Sequence, residues 1–128
     1  MLIRFVIDDL DPLSGRRQGL FHAARTLSDS GRLSGQEEDE LEGTRKWFRH
    51  HLKRPSRLAL SARPHAANMA LSWFRDTAHE HIGKMRDFAL ILERHGIAVR
   101  MIRTDRPGYV LYEDDYQVAA YPFADTPT

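Results

Sequence analysis

Apolar side chains and one histidine recur at spacings of three and four residues between positions 70 and 92, and this pattern constrains the fold of the chain more than any other. The residues are Ala70, Phe74, Ala78, His81, Met85, Phe88 and Leu92. Side chains with that spacing lie along one face of an α-helix. The pattern therefore predicts a long helix with one buried face, which ends at Gly96.

Two more helices are predicted from start and stop signals. Ser34 and Glu37 match a capping box, in which each side chain accepts a hydrogen bond from the other residue's free backbone amide. That motif predicts a helix that begins after Ser34 and is closed by Pro55. Another helix is predicted from about Gln18 to Ser30, with Gly31 in the position where a glycine commonly ends a helix.

Short alternating segments predict strands at both ends of the chain. The segments are Leu2–Ile7, Ile97–Thr104, Tyr109–Glu113 and Tyr116–Tyr121. Positions 8–15 are rich in turn-forming residues and predict a loop, and Lys53–Asn68 predicts a long connection with a short extended piece at Arg57–Leu60. The order β-α-α-α-β-β-β favours an α+β fold, with three helices packed on one face of a small, mainly antiparallel four-stranded sheet.

Length and composition favour one small intracellular domain. With 128 residues, of which 41% are hydrophobic, the chain is the usual size for a single domain spanning residues 1–128. It has no cysteine, which excludes a disulfide scaffold, a thiol nucleophile and a cysteine-type zinc site. The first apolar run is short and is interrupted by Arg4, so it resembles neither a signal peptide nor a membrane anchor. We therefore expect a cytoplasmic protein that does not associate with membranes.

Charge is strongly segregated along the chain although the net charge is only +1. An acidic cluster at positions 37–42 is followed by a stretch from Arg45 to Arg75 that contains no Asp or Glu. Its basic residues are Arg45, Lys46, Arg49, Lys53, Arg54, Arg57, Arg63 and Arg75. Such a stretch either tracks a phosphate backbone, with a tryptophan for base stacking, or is the solvated basic end of a helix and a loop. A partner protein with an acidic surface would satisfy the same cations.

Clustered acids suggest a second class of function. Asp8 and Asp9 follow the first predicted strand, and Glu113 and Asp114 end a late one. Carboxylates brought together at strand ends hold magnesium in many nucleases. The lysine that restriction-type nucleases place on the second strand is missing, so two polar turns explain the same residues. A small metal-dependent hydrolase or nuclease is the alternative hypothesis.

His79, Glu80 and His81 resemble a metal-binding sequence but lack the spacing of one. Residues two apart on a helix point about 200° from each other, so the two histidines would not bind one ion. Asp76, His79 and Glu80 would share a helix face, either as a polar site or as a solvated surface. His81 falls in the apolar series and predicts a hydrogen-bonded histidine at the core.

Three stretches carry a resemblance to known sequences. They are Trp73–Ile82, Lys84–Arg86 and the C-terminal stretch Arg106–Asp114 with Gln117–Ala120. Through them the chain resembles a small family of uncharacterised bacterial proteins of about this length. The resemblance implies a bacterial origin and a stand-alone domain, and it implies no activity.

The function that the sequence favours is a non-enzymatic binding module. Its basic helix end and loop, residues 45–75, would engage nucleic acid or an acidic protein. No Gly-rich phosphate loop and no recognisable Ser-His-Asp order occurs, and the sequence predicts neither a cofactor nor a bound metal.

Overall fold

The structure is a computed structural model that describes residues 1–12, 14–54 and 69–128. The connection predicted for Lys53–Asn68, its extended piece and the helix end at Pro55 lie largely or wholly outside these residues. The helices are α1 (Leu20–Asp29), α2 (Gly35–His51) and α3 (His79–Arg94). The strands are β1 (Leu2–Leu10), β2 (Arg17–Gly19), β3 (Leu71–Arg75), β4 (Arg100–Thr104), β5 (Tyr109–Glu113) and β6 (Gln117–Tyr121).

The α+β class is confirmed, with three helices and an antiparallel sheet among the described residues. In the part of the chain that the structure describes, the sheet has six strands rather than the four that the sequence predicts, and it is open. Its hydrogen-bonded path runs β2-β1-β3-β6-β5, and β4 pairs with β1 along Leu2–Val6. The first strand continues to Leu10, and the chain then turns back and pairs with it as β2. The loop predicted at positions 8–15 and the helix start predicted at about Gln18 therefore both contain sheet residues.

The helix predicted from Ala70 is wrong in its first part, because Leu71–Arg75 forms β3 and the helix begins only at His79. β3 lies between β1 and β6, and both Trp73 and Phe74 are buried although neighbouring strand residues face opposite sides. A central strand that is covered on both faces has a continuous run of apolar residues. The spacing of apolar residues in the sequence does not distinguish such a strand from a buried helix. Phe74 therefore belongs to the core through the sheet, not through the helix.

The capping box before α2 and the glycine stops after α1 and α3 are confirmed. Ser34 accepts a hydrogen bond from the amide of Glu37, whose carboxylate accepts one from the amide of Ser34. Gly31 and Gly96 follow α1 and α3 with φ of 74° and 78°, the left-handed conformation in which glycine is least strained.

The main core lies between the helices and the face of β1 that carries Ile3, Phe5 and Ile7. Phe88 of α3 is completely buried there, with its ring centroid 5.2 Å from that of Phe21 and 5.9 Å from that of Phe48. Other core side chains from the helices include Leu20, Leu27, Leu41, Met85 and Leu92. The three helices are thus joined to one another by aromatic contacts, and the ring centroid of Phe48 also lies 6.2 Å from that of Phe74 on β3.

Candidate functional site

A cavity of about 1070 Å³ lies between α2, the start of α1 and the strands β1 and β3. Six of its lining side chains are basic, and no Asp or Glu is among the described residues that line it. These six residues define what we call the cationic cavity: Arg4, Arg25, Arg45, Arg49, Lys53 and Arg54. The rest of the wall is mostly apolar and includes the rings of Phe5, Phe21, Phe48, Trp73 and Phe74.

The cavity occurs where two strands stop pairing. In the described residues β1 and β3 pair at Leu2–Arg75 and Ile3–Phe74, whereas β3 pairs with β6 at four positions. The next residues of the two strands, Arg4 on β1 and Trp73 on β3, line the cavity instead. The sheet therefore supplies one wall and α2 supplies basic side chains from the opposite side.

Arg4 carries a positive charge at the inner wall. It is only 7% exposed, and its Nη2 donates to the carbonyl oxygen of Arg17 at 2.7 Å. Burial, together with the neighbouring charges of Arg17 and Arg16, lowers the pKa of Arg4 to about 10. The group thus remains protonated at neutral pH, and its other contacts are a hydrogen bond from Nη1 to the oxygen of Thr128 at 3.5 Å and the attraction of Asp11.

Two buried hydrogen-bond donors at this cavity lack partners within the described part of the chain. They are Nη2 of Arg45 and Nε1 of Trp73, whose residue is 0% exposed. A buried donor left without an acceptor costs about 1–3 kcal/mol, so native proteins rarely retain one without a reason. Both donors belong to residues that line the cationic cavity.

The cavity brings together half of the basic residues predicted to bind. Arg45, Arg49, Lys53 and Arg54 line it. Arg49 also pairs with Glu42 at 2.6 Å, which leaves part of its charge compensated. Lys46 is exposed on α2 and does not line the cavity.

The other predicted basic residues are not among the described residues of the cavity wall. Arg75 donates from Nε to the carbonyl oxygen of Asp114 at 2.8 Å and from Nη2 to Glu113 at 3.3 Å, so it holds the β5–β6 turn. Arg57 and Arg63 lie outside the described residues. Arg4 and Arg25, which the sequence does not single out, join the site from β1 and α1.

The structure does not bring the four acids of the alternative hypothesis together. Asp8 lies near the C-terminal end of β1. Glu113 and Asp114 lie at the opposite end of the sheet, on a level with Leu2 at the start of β1. Three strand spacings of about 4.8 Å separate β1 from β5, a distance of roughly 14 Å, while two ligands of one ion lie within about 5 Å. Asp9 follows Asp8 on β1, so it is equally remote.

The acids are also occupied locally. The hydrogen bond from Arg100 to Asp8, at 2.7 Å, holds the pKa of Asp8 below its ordinary value. Burial works to raise the pKa of Asp114, but hydrogen bonds from Gln117, Tyr116 and Tyr112 outweigh it and lower that pKa. Among the described residues no group of three or more His, Asp or Glu side chains is placed to hold a metal ion.

A second cavity, of about 670 Å³, lies beside the C-terminal end of α2 and the start of α3. His81 is buried at this place, and its Nε2 lies 2.7 Å from the carbonyl oxygen of His51, as expected for a hydrogen-bonded core histidine. Its ring also stacks on Tyr116 at 4.5 Å. His79 and Glu80 are exposed at the first turn of α3 and line the same cavity.

Comparison with models of protein families, with curated proteins and with solved structures finds no match to this chain. Within the described residues no helix is both long and apolar enough to cross a bilayer.

Proposed function

We propose that this protein is a non-enzymatic binding module that engages nucleic acid through the cationic cavity and the basic end of α2. The observation that carries the proposal is the cavity itself. Among the described residues it has six basic side chains and no carboxylate in its lining, and two of the lining residues, Arg45 and Trp73, each have a buried donor without an acceptor. A phosphate group supplies both the negative charge and the acceptor oxygens.

Uncompensated charge supports a polyanionic ligand. Within the described residues, Arg25, Arg45, Lys53 and Arg54 form no ion pair with a carboxylate. Surface charges that serve only solubility are usually interspersed with charges of the opposite sign. Arg25, Lys53 and Arg54 are exposed as well as lining the cavity, so they are accessible to a phosphate backbone.

An aromatic ring at the same cavity favours nucleic acid over an acidic protein. Phe21 lines the cavity and is 41% exposed, and its ring centroid lies 5.0 Å from that of Phe48. Single-stranded nucleic acids are commonly bound by a basic groove that tracks phosphates and an aromatic side chain on which a base stacks. An acidic peptide would satisfy the cations but would not use the exposed part of the Phe21 ring for stacking.

The hypothesis of a metal-dependent hydrolase has no comparable support. Its four carboxylates are separated across the sheet, and Asp8 and Asp114 already accept hydrogen bonds from neighbouring side chains. The binding proposal therefore includes indifference to magnesium and manganese.

A salt titration of binding tests the proposal. Fluorescence anisotropy of a labelled single-stranded oligonucleotide should report binding that weakens steeply with salt, with a log–log slope of about −0.7 per phosphate contact. Replacing Arg45 and Arg54 together by Gln should reduce the steepness by about one to two units, alike for all sequences. Arg103→Gln removes the same kind of charge from an exposed position on β4 outside both cavities and should leave the slope unchanged.

The outcomes separate the candidate partners. Absence of binding at low salt, or a slope that ignores the double variant, would refute the nucleic-acid proposal. In that case an acidic polypeptide such as polyglutamate, titrated in the same assay, tests the remaining class. Phe21→Leu should weaken oligonucleotide binding at every salt concentration without changing the slope, because it removes stacking and not charge.

A further inference from the structure

We infer that two buried side chains, His81 and Gln117, are positioning residues for the basic end of α2. Each donates a hydrogen bond to a carbonyl oxygen at the C-terminal end of this helix, next to Lys53 and Arg54 of the cationic cavity. The inference rests on the proposed function and deepens it, because it concerns how two of the cations that would contact phosphates are held in place.

The chain beyond α2 needs support from outside the helix. The amide of Leu52 closes α2 with a hydrogen bond to the carbonyl oxygen of Phe48 at 2.8 Å. Leu52 itself has an extended backbone, with φ of −132° and ψ of 117°. The last carbonyl oxygens of a helix have no donor within the helix. The position of Lys53 and Arg54 therefore depends on contacts from other elements.

His81 supplies the first of these contacts from α3. Its side chain is buried, and its Nε2 lies 2.7 Å from the carbonyl oxygen of His51. A carbonyl oxygen only accepts, so Nε2 carries the hydrogen. The centroid of the His81 ring lies 4.8 Å from that of Trp47 and 4.5 Å from that of Tyr116. The ring is thus held between α2 and the β5–β6 turn, and its donor has a fixed direction.

Gln117 supplies the second contact from β6. It is 3% exposed, and its Nε2 donates to the carbonyl oxygen of Lys53 at 2.5 Å and to Oδ2 of Asp114 at 3.0 Å. Both partners are acceptors, so the side-chain amide has only one favourable orientation. The backbone amide of Gln117 also donates to Asp114, at 3.1 Å, and β6 pairs with strands on both sides. The backbone of Lys53 is therefore tied to the interior of the sheet.

These two hydrogen bonds act on binding through the cations of the α2 end. A backbone that is already held lets Lys53 and Arg54 contact neighbouring phosphates together, whereas a released end would have to be ordered when the ligand binds. Gln117 also lines the cationic cavity, but its replacement by a neutral residue removes no charge. A change in the salt dependence of binding would therefore report the cations and not Gln117 itself.

Neutral substitutions separate positioning from loss of charge. Gln117→Met and His81→Leu each remove one donor, and the titration is run at about pH 8, above the ordinary histidine range. With the labelled single-stranded oligonucleotide, we expect each variant to make the log–log salt slope less steep by about 0.7 to 1.4, the value of one or two lost phosphate contacts. His81→Gln keeps a donor near the place of Nε2 and should restore most of the slope. Gln36→Met, exposed near the other end of α2 and outside both cavities, should leave it unchanged.

A double-mutant comparison tests whether the effect passes through the cations. When Lys53 and Arg54 are both replaced by Gln, adding Gln117→Met should not change the slope further. A further loss of slope in that background would overturn the inference. A wild-type slope in Gln117→Met or His81→Leu, in protein that circular dichroism shows to be folded, would also overturn it.

The failures of the two proposals are distinguishable. If the wild type does not bind the oligonucleotide, the proposed function fails and the inference fails with it. If the wild type binds with a steep slope that the neutral variants retain, only the inference is overturned. The two donors are on different elements, so one variant decides the question if the other does not fold. If neither folds, Gln117→Asn replaces them with the same expected slope, because its amide is one methylene too short to reach Lys53.

Discussion

Phe88 provides a sharp test of how the three helices pack against one another. The side chain is 0% exposed in α3 and its ring contacts those of Phe21 and Phe48. Truncation of a fully buried phenylalanine to alanine costs about 3–5 kcal/mol, and the loss of two aromatic contacts places Phe88→Ala in the upper half of that range. This is a large share of the roughly 5–15 kcal/mol by which such domains are stable.

Urea unfolding followed by circular dichroism measures this loss. The midpoint should fall strongly with an unchanged m-value, and the melting temperature should fall by roughly 15 °C, from about 4 °C per kcal/mol at this chain length. Leu90→Ala is the matched control, because Leu90 is on the same helix and is 54% exposed. It should change stability by less than about 0.5 kcal/mol. A loss below about 1 kcal/mol for Phe88→Ala would refute this packing of α3.

Two further predictions concern the fold. Gly108→Ala should destabilise the protein by at least about 1–3 kcal/mol in thermal melts, because the φ of Gly108 is 121° and an added Cβ would overlap the carbonyl of Tyr121. Gly83→Ala, in open space on α3, should instead stabilise the protein by about 0.5–1 kcal/mol. Equal effects of the two substitutions would contradict the geometry of the turn at Gly108. The hydrogen bond from the Ser34 amide and the neighbouring His95 hold the pKa of Glu37 below its ordinary value. The contribution of Glu37 to the free energy of unfolding is therefore complete above the ordinary glutamate range, at about pH 4–5, and is lost as the pH falls through the lowered pKa. The urea midpoints of wild type and Glu37→Gln should therefore differ at neutral pH and converge in acid. A difference that stays constant with pH would show that protonation of the Glu37 carboxylate does not affect stability.

Local signals predicted the parts of the fold that are local in origin. The capping box of α2 and the glycines after α1 and α3 work within a few residues, and the β5–β6 hairpin joins adjacent segments around Asp114. The error at Leu71–Arg75 arose because burial on both faces is a property of the sheet as a whole. β2 was missed since three residues paired with β1 leave no periodic pattern.

The candidate site was predictable only where its residues are close in sequence. Arg45, Arg49, Lys53 and Arg54 are concentrated near one end of α2, so charge segregation was enough to find them. Arg4 reaches the cavity because β1 and β3 diverge beside it, which depends on strand pairing between remote segments. The importance of Trp73 depends on an unsatisfied indole N–H, a feature that exists only in the packed structure.

Tryptophan fluorescence tests most directly whether an anionic ligand occupies the cationic cavity. The chain has two tryptophans, and Trp47→Phe leaves Trp73, which lines the cavity, as the single reporter. Adding the single-stranded oligonucleotide to this variant should change the intensity and wavelength of Trp73 emission, with the affinity that anisotropy gives. The change should disappear when Arg45→Gln is added. Binding by anisotropy with no change in Trp73 emission would show that the ligand lies elsewhere on the protein, and it would contradict the assignment of the cationic cavity as the binding site.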